Sequence, residues 1–157
     1  CSSDLDPQKQ LDIRLVTEAD MGFVNQCFSD PQLVKEVGLT LSDNPSARQW
    51  AFAMWRQSGD FWVITLGESR VGLATSFVIE KGVREVGYLI LRHWQGQGLM
   101  TRALQILISN LRAGGQTKRV EAQTRGDNYA SATVLARNGF IRTAENEAVV
   151  NWCLELS

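Results

Sequence analysis

Residues 94–104 read WQGQGLMTRAL, and this stretch places two glycines and two glutamines between an apolar run and a helix-like sequence. The preceding run, VGYLIL at 86–91, has the composition of a buried strand. The residues that follow place apolar side chains at helical spacing: Met100, Ala103, Leu104, Leu107, Ile108 and Leu111. A glycine-rich turn from a strand into a helix directs backbone N–H groups and the positive end of the helix dipole at one point, which suits a phosphate.

Three phosphate-binding motifs compete for this loop, and their spacing separates them. The mononucleotide P-loop requires Gly-Lys-Ser/Thr, whereas Gly98 is followed by Leu99 and Met100, so it is excluded. The dinucleotide fingerprint requires a third glycine, but position 101 is Thr and the motif lies late in the chain, which disfavours it. The third pattern is Gln/Arg-x-x-Gly-x-small, which residues 95–100 follow except at Met100.

With this third motif the sequence resembles the GNAT superfamily of N-acetyltransferases, in which the loop holds the pyrophosphate of acetyl-coenzyme A. Two stretches, VGYLILRHWQGQGLMTRAL at 86–104 and RGDNYASATVLARNGF at 125–140, resemble the ribosomal-protein alanine acetyltransferases, the branch that acetylates protein N-termini. The resemblance covers roughly residues 83–143, and the upstream order of strands and helices also fits that family.

The resemblance implies acetyl-coenzyme A as cosubstrate, with no metal, and a set of cofactor-binding residues: Leu91, Gln95, Gly96, Gln97, Gly98, Leu99, Met100, Asn128 and Arg137. Asn128 would bond the pantetheine arm, and Arg137 would meet the 3′-phosphate. Simpler interpretations exist for several of these residues. The glycines could simply form a plain loop before a helix, and Asn128 could simply cap a helix. Arg137 could be a surface charge that the helix dipole favours.

Amine acetylation requires a base for the amine proton and a partner for the departing thiolate. Glu85 resembles the acidic residue on the fourth strand of the family and is the predicted base; a solvated glutamate after a hairpin turn is the alternative. Ser131 lies three residues after Asn128, so both side chains share one face of the first helical turn. By resemblance, Ser131 would hydrogen-bond the sulfur as acid or as relay for a water; capping the helix is the alternative.

The family's usual thiolate acid, a tyrosine four residues before the Gly-Phe pair, is replaced by Leu135. Tyr129 is a candidate substitute, and a thiol with a pKa near 8.5 can leave at neutral pH with modest help. His93, the single histidine, is expected to have no chemical role. Cys27 and Cys153 lie outside the motifs, which disfavours an acetyl-cysteine intermediate.

The composition is that of an ordinary globular domain. The chain has 157 residues, 44% hydrophobic and 21% charged, with a formal net charge of −1, which favours one domain over 1–157 with a flexible extension at 1–10. We expect no nucleic-acid or membrane partner and a cytoplasmic location; whether the chain forms a homodimer is left open.

Three cysteines without a CxxC pair indicate neither a disulfide framework nor a zinc site. Alternatively, Cys1 is the lipid-bearing cysteine of a processed lipoprotein, for which the sequence shows no signal peptide.

The order of predicted elements indicates an α/β or α+β fold, with one mixed sheet of about six to seven strands and flanking helices. A strand at 11–16 feeds a helix that TEAD opens and that ends near Ser29. The remaining predicted strands are FWVITLG (61–67), RVGLATSFVIE (70–80), REVGYLIL (84–91), KRVEAQT (118–124), FIRTA (140–144) and AVVNWCLEL (148–156). Trp50 and Trp55 are expected in the core or in the wall of an acceptor groove.

The leading hypothesis is transfer of acetyl from acetyl-coenzyme A to a primary amine by direct attack. A catalytically idle acyl-coenzyme A-binding module is the second hypothesis, favoured by Leu135, and a nucleotide-binding regulator is the third. The segment 29–45 is expected to wall the acceptor cleft and has a mild excess of acid, with Asp30, Glu36 and Asp43 against Lys35. We therefore expect a singly charged amine, with a peptide α-amine ahead of a small metabolite amine.

Overall fold

The computed structural model describes residues 10–31, 59–146 and 148–156, which form a seven-stranded mixed sheet with helices on both faces. The strands, numbered in chain order, are β1 (Leu11–Leu15), β2 (Gly59–Leu66), β3 (Ser69–Glu80), β4 (Val83–Ile90), β5 (Arg119–Arg125), β6 (Ile141–Glu145) and β7 (Val149–Glu155). The sheet confirms the predicted α/β class and strand number. The N-terminal extension, apart from residue 10, and the segment with Trp50 and Trp55 lie outside the described residues.

The strand order across the sheet is β1-β2-β3-β4-β5-β7-β6. β2, β3 and β4 form an antiparallel meander, as the turn residues around Gly67 and Gly82 predict, and β1 adds to it antiparallel to β2. Only β4 and β5 are parallel, because a helix, Leu99–Gly114, crosses between them. The closing hairpin returns to the sheet antiparallel to β5, with β6 at the edge.

In the described part of the chain, three helices cover the sheet: α1 (Met21–Cys27) on one face, and α2 (Leu99–Gly114) and α3 (Tyr129–Arg137) on the other. We call the α2 and α3 side the upper face and the α1 side the lower face. The upper core joins α2 and α3 to alternate residues of the sheet, including Val120, Ala122 and Trp152. The lower core is smaller and packs Val24 and Cys27 of α1 against the sheet. Among the described helices, none is both long and apolar enough to cross a membrane.

The end of α3 is fixed by a Schellman motif, which explains the Asn-Gly-Phe sequence. Gly139 has a φ of 89°, Phe140 N–H donates to the Leu135 carbonyl at 3.1 Å, and Gly139 N–H donates to Ala136 at 3.1 Å. Asn138 Nδ2 also donates to the Thr101 carbonyl of α2 at 3.2 Å. The terminus of α3 is therefore held against the first turn of α2.

A buried carboxylate joins the start of α1 to the sheet. Asp20 is fully buried, accepts two hydrogen bonds of 2.8 Å from Arg14 of β1, and accepts one of 2.8 Å from Arg70 of β3. Its Oδ2 also accepts the Thr17 N–H at 2.8 Å, as the predicted capping sequence requires. The hydrogen bonds from Arg14, with those from Thr17 and Arg70, hold the pKa of this carboxyl well below its usual range, against the effect of burial.

Asp20→Asn removes the charge that two half-exposed guanidinium groups share. We expect the free energy of unfolding at neutral pH to fall by about 2–3 kcal/mol, since hydrogen bonds to charged groups are lost. Because the folded pKa lies below the unfolded value, the contribution is complete near neutral pH and disappears as the pH falls through the acid range. Denaturant titration at several pH values should show the two proteins converging in acid, while the exposed Glu18→Gln control stays near wild type at every pH.

Candidate active site

The central feature of the site is a fork between two parallel strands. β4 and β5 pair only at Val83↔Arg119, Arg84↔Val120 and Glu85↔Glu121. β4 nevertheless continues to Ile90 and stays paired with β3, and β5 continues to Arg125 and stays paired with β7. The two strands therefore separate after the third pair, and their inner edges face an opening in the sheet.

The glycine loop lies at the open end of the fork and leads into α2. Gly96 and Gly98 have φ values of 80° and 76°, and a Cβ on either would meet no atom within 4 Å. The glycines are thus required by the left-handed backbone and not by crowding. Gln95 Nε2 donates to the Ile90 carbonyl at 2.9 Å, which ties the loop to the end of β4.

The N-terminus of α2 is suited to an anion. The first backbone hydrogen bond of the helix runs from Arg102 N–H to the Gly98 carbonyl at 3.3 Å, so the N–H groups of residues 99–101 precede the helical ladder. The first turn carries no acidic side chain. The positive end of the dipole of this 16-residue helix is therefore not offset by an acid of its own first turn.

The N-terminus of α3 lies across the fork from β4. Asn128 caps the helix, because its Oδ1 accepts the Ser131 N–H at 3.0 Å. The Ser131 Oγ is 2.8 Å from the Tyr88 hydroxyl, and either atom can be the donor. The Tyr88 hydroxyl can also donate its proton to the Ser131 carbonyl oxygen, at the longer distance of 3.3 Å. Burial raises the pKa of the Tyr88 phenol to about 12, against a smaller lowering by the Ser131 hydrogen bond.

Two carboxylates occupy the vertex of the fork on the other face. Glu85 and Glu121 are in register on adjacent strands, so they project to the same face of the sheet. Leu89 follows Glu85 by four residues on the strand and packs in the lower core, which assigns both carboxylates to the lower face. Burial raises the pKa of Glu85, and the charge of Glu121 raises it further. Glu121 itself accepts a hydrogen bond from Arg119 Nε at 3.0 Å and forms an ion pair with Arg119 Nη2 at 2.9 Å.

A cleft of about 350 Å³ fills the fork, a volume within the usual range for small-molecule sites. It is lined by residues 86–90 of β4, by Gln123 and Thr124 of β5, by the glycine loop and by α3. The predicted site residues that line it are Gln95, Gly96, Gly98, Leu99, Met100, Asn128, Ser131 and Arg137. The structure thus brings the loop and the α3 residues together in one cleft.

Other predicted residues lie elsewhere. Leu91 packs beside the lower core, and Gln97 is exposed on the loop; neither lines the cleft. Glu85 lies at the vertex, one residue before the lining begins. Tyr129, the candidate substitute acid, is 76% exposed and also lies outside the lining. His93 is exposed, stacks edge-on against Trp94, and does not line the cleft.

Comparison with known proteins agrees with this geometry. Residues 10–141 match the family described as Acetyltransferase (GNAT) domain. The chain belongs to the GNAT acetyltransferase family. Within this GNAT domain, 57 residues are 42% identical to the ribosomal-protein-serine acetyltransferase of Escherichia coli (strain K12). That match covers 36% of this chain and 32% of the relative, so only about a third of the relative's length is matched.

Solved structures share the fold of this GNAT domain at low identity. The aminoglycoside acetyltransferase AAC(6')-Ib, in complex with coenzyme A, superposes with a TM-score of 0.80 at 18% identity, over 93% of this chain and 95% of that one. RimL, a ribosomal L7/L12 α-N-protein acetyltransferase in complex with coenzyme A, has a TM-score of 0.76 at 21% identity, over 93% and 94% of the two chains.

Sequence reasoning missed the cleft residues that the GNAT domain's sheet contributes. The sequence pattern assigns Tyr88 to an apolar strand, and Gln123 and Thr124 to β5, without indicating a role for any of them. Strand alternation gives a signal for Tyr88, since it shares a face with Val86 and Ile90 of the upper core. Nothing in the sequence indicated that the pairing of β4 and β5 would stop where it does, which is what exposes these side chains to the cleft.

Gly98→Ala tests the backbone requirement of the loop. A left-handed conformation costs a residue with a Cβ about 1–2 kcal/mol, so the free energy of unfolding should fall by that order. Gly22→Ala is the matched control, because a Cβ there also meets nothing within 4 Å but the residue lies in α1 without a positive φ. We expect the control to be neutral or slightly stabilising in thermal denaturation. Equal changes in both variants would contradict the assigned loop conformation.

Proposed function

We propose that this chain transfers acetyl from acetyl-coenzyme A to a primary amine by direct attack of the amine on the thioester. The observation that carries the proposal is the fork itself. An anion-binding loop opens on its wide end, and a carboxylate with a raised pKa lies at its vertex on the opposite face. Such an opening lets two ligands approach one point from two sides of the sheet.

The upper side of the cleft suits the cofactor. The N–H groups of the loop and of the first turn of α2 would hold the pyrophosphate. The inner edge of β4, which has no strand partner beyond Glu85, would offer backbone hydrogen bonds to the extended pantetheine arm. Asn128 would contact this arm beside its capping bond, and Arg137, which is exposed and lines the cleft, would meet the 3′-phosphate.

The lower side suits the proton transfer. A general base works best when its pKa approaches the working pH, and both burial and Glu121 move the pKa of Glu85 in that direction. In the reaction, the amine nitrogen forms a bond to the thioester carbonyl carbon while its proton passes to Glu85. The carbon–sulfur bond then breaks, and the electron pair leaves with the sulfur near Ser131.

The acceptor is proposed to be a peptide α-amine. The lower face beside the fork is polar, since Glu121 pairs in register with Cys153 and Gln123 with Asn151. Glu85, together with Glu121, whose charge Arg119 partly offsets, would attract one ammonium group, which fits a singly charged amine better than a polycation. The matched stretch of the E. coli enzyme, a ribosomal-protein-serine acetyltransferase, supports a protein acceptor. A small metabolite amine remains the alternative.

The acidic segment 29–45 gives this acceptor less support than the sequence suggested. Asp30 pairs with Arg92 at 2.8 Å, so its charge is partly offset. Glu36, Asp43 and Lys35 lie outside the described residues. The electrostatic argument for an ammonium group therefore depends on the pair at the vertex of the fork.

An idle acyl-coenzyme A-binding module is the second candidate function. It is favoured by Leu135, which stands where the family's tyrosine acid would be and is completely buried in the upper core. Binding of coenzyme A without release of thiol, across amines and peptides, would support this alternative and contradict the enzyme.

Glu85→Gln tests the base. Turnover should fall by about 10²-fold or more, because general base catalysis contributes that order, while coenzyme A affinity in calorimetry stays at wild type. Glu121→Gln is the matched variant, since it removes the neighbouring charge and keeps the base. The pKa of Glu85 should then fall, and the acid limb of the kcat–pH profile should move to lower pH. An unmoved limb together with full activity in Glu85→Gln would assign the base elsewhere.

The acceptor class is tested with short peptides that carry free or blocked N-termini, beside a panel of small amines. Thiol release from acetyl-coenzyme A should require the free α-amine and should exceed release with the small amines. Acetylation of lysine in the blocked peptides would point to a side-chain acceptor. Transfer confined to the small amines would refute the peptide assignment and leave the acetyltransferase proposal standing.

A further inference from the structure

The cleft contains a pair of hydroxyl groups contributed by separate elements. Tyr88 comes from β4 and Ser131 from the first turn of α3, and they lie 43 residues apart in sequence with their oxygens 2.8 Å apart. The backbone of Ser131 is fixed by the Asn128 cap at 3.0 Å. The Ser131 hydroxyl is therefore held by the cap of its own helix on one side and by the Tyr88 hydroxyl of β4 on the other.

Other side chains are poorly placed to serve a departing thiolate in this cleft. Leu135 has no donor, and Tyr129 is exposed to solvent. Thr124 is buried, and its Oγ1 is held in place by a hydrogen bond from Trp152 Nε1 at 3.0 Å. Thr133 donates its hydroxyl proton to the Tyr129 carbonyl at 2.9 Å. Among the described residues that line the cleft, Tyr88 and Ser131 are the two whose hydroxyl groups meet across the fork.

We propose, on the basis of the proposed function, that Tyr88 is a positioning residue which donates its phenolic O–H to Ser131 Oγ. This leaves the Ser131 O–H to hydrogen-bond to the sulfur of coenzyme A as the carbon–sulfur bond breaks. The electron pair of that bond stays on sulfur, and the thiolate is protonated later from water. The ammonium acceptor loses two protons to solvent, one before it attacks as the neutral amine and one through Glu85 as the carbon–nitrogen bond forms. Because the thiolate takes one proton back, the overall reaction releases one proton and one thiol.

Tyr88 acts through its hydrogen bond and not by giving up its proton. Its phenol has a pKa of about 12, well above that of a free thiol at about 8.5, so it remains a donor while the thiolate forms. A hydrogen bond donated to a hydroxyl oxygen strengthens the bond that the same hydroxyl donates. Tyr88 thereby supplies, through Ser131, part of the stabilisation of the thiolate that Leu135, which has no donor, does not give.

The experiment follows the thiol of coenzyme A bound to the whole chain, using the ultraviolet absorbance of the thiolate in a pH titration. The wild type should bind coenzyme A and lower the pKa of its thiol below the value in free solution. Tyr88→Phe keeps the ring and removes the hydroxyl, and it should raise the bound thiol pKa by about half a unit to one unit, the equivalent of one hydrogen bond. Ser131→Ala should raise it at least as much, and the double variant should match Ser131→Ala alone, because Tyr88 acts through Ser131.

Turnover supplies an independent readout on the same variants. Tyr88→Phe should lower kcat by about five- to tenfold and leave the KM for acetyl-coenzyme A unchanged, since the interaction strengthens only as the thiolate forms. Tyr129→Phe is the matched control, an exposed tyrosine outside the cleft, and should change neither quantity. Arg137 is the charged side chain among the described lining residues, and none of these variants alters it.

The outcomes separate this inference from the proposed function. If coenzyme A binds and its thiol pKa is the same in wild type and Tyr88→Phe, the role of Tyr88 is refuted while the acetyltransferase proposal stands. Additive shifts in the double variant would show that Tyr88 does not act through Ser131 and would also overturn it. If wild-type protein fails to bind coenzyme A in calorimetry, the proposed function fails, and this inference fails with it.

Discussion

The site depends on where the hydrogen bonding between β4 and β5 stops. Glu85 and Glu121 are the last pair, and beyond them each strand keeps only its outer neighbour. An unpaired strand edge inside a sheet is costly unless a ligand or another group satisfies it, so the opening is itself a binding surface. The cleft, the exposed edge of β4 and the access to both faces all follow from this single break.

Two helices convert the opening into a site with distinct ends. The left-handed glycines direct the start of α2 at the wide end, and the contact between Asn138 and Thr101 holds α3 beside it. The start of α3 then lies opposite Tyr88, which places hydroxyl groups in the middle of the cleft. The carboxylates lie on the other face, so the sheet separates them from the N–H groups of the loop and of the first turn of α2.

Much of this arrangement was readable from the sequence, because it depends on local backbone preferences. The strand meander, the helix after the glycine loop and the Asn-Gly end of α3 each follow from alternation, helical spacing or a residue that tolerates positive φ. The glycine turn and the cap by Asn128 follow from such preferences as well, whereas the cofactor-binding roles of these residues were implied by the family resemblance. The buried ion pairs of Asp20 were not, since Arg14 and Arg70 reach it from separate strands, one of them 50 residues away in sequence.

By itself, the sequence determined the family motif, the order of the strands along the chain and the residues that shape the glycine loop. The tertiary structure alone decided the partnership of Tyr88 with Ser131, the proximity of Glu121 to Glu85, and the burial of Leu135. The physical reason is that a strand pattern specifies which face a side chain occupies but not which strand lies beside it. The strand register and the packing of the crossover helix decide which residue becomes the neighbour. They thereby decide the pKa of the Glu85 carboxyl and the hydrogen-bond partner of the Ser131 hydroxyl.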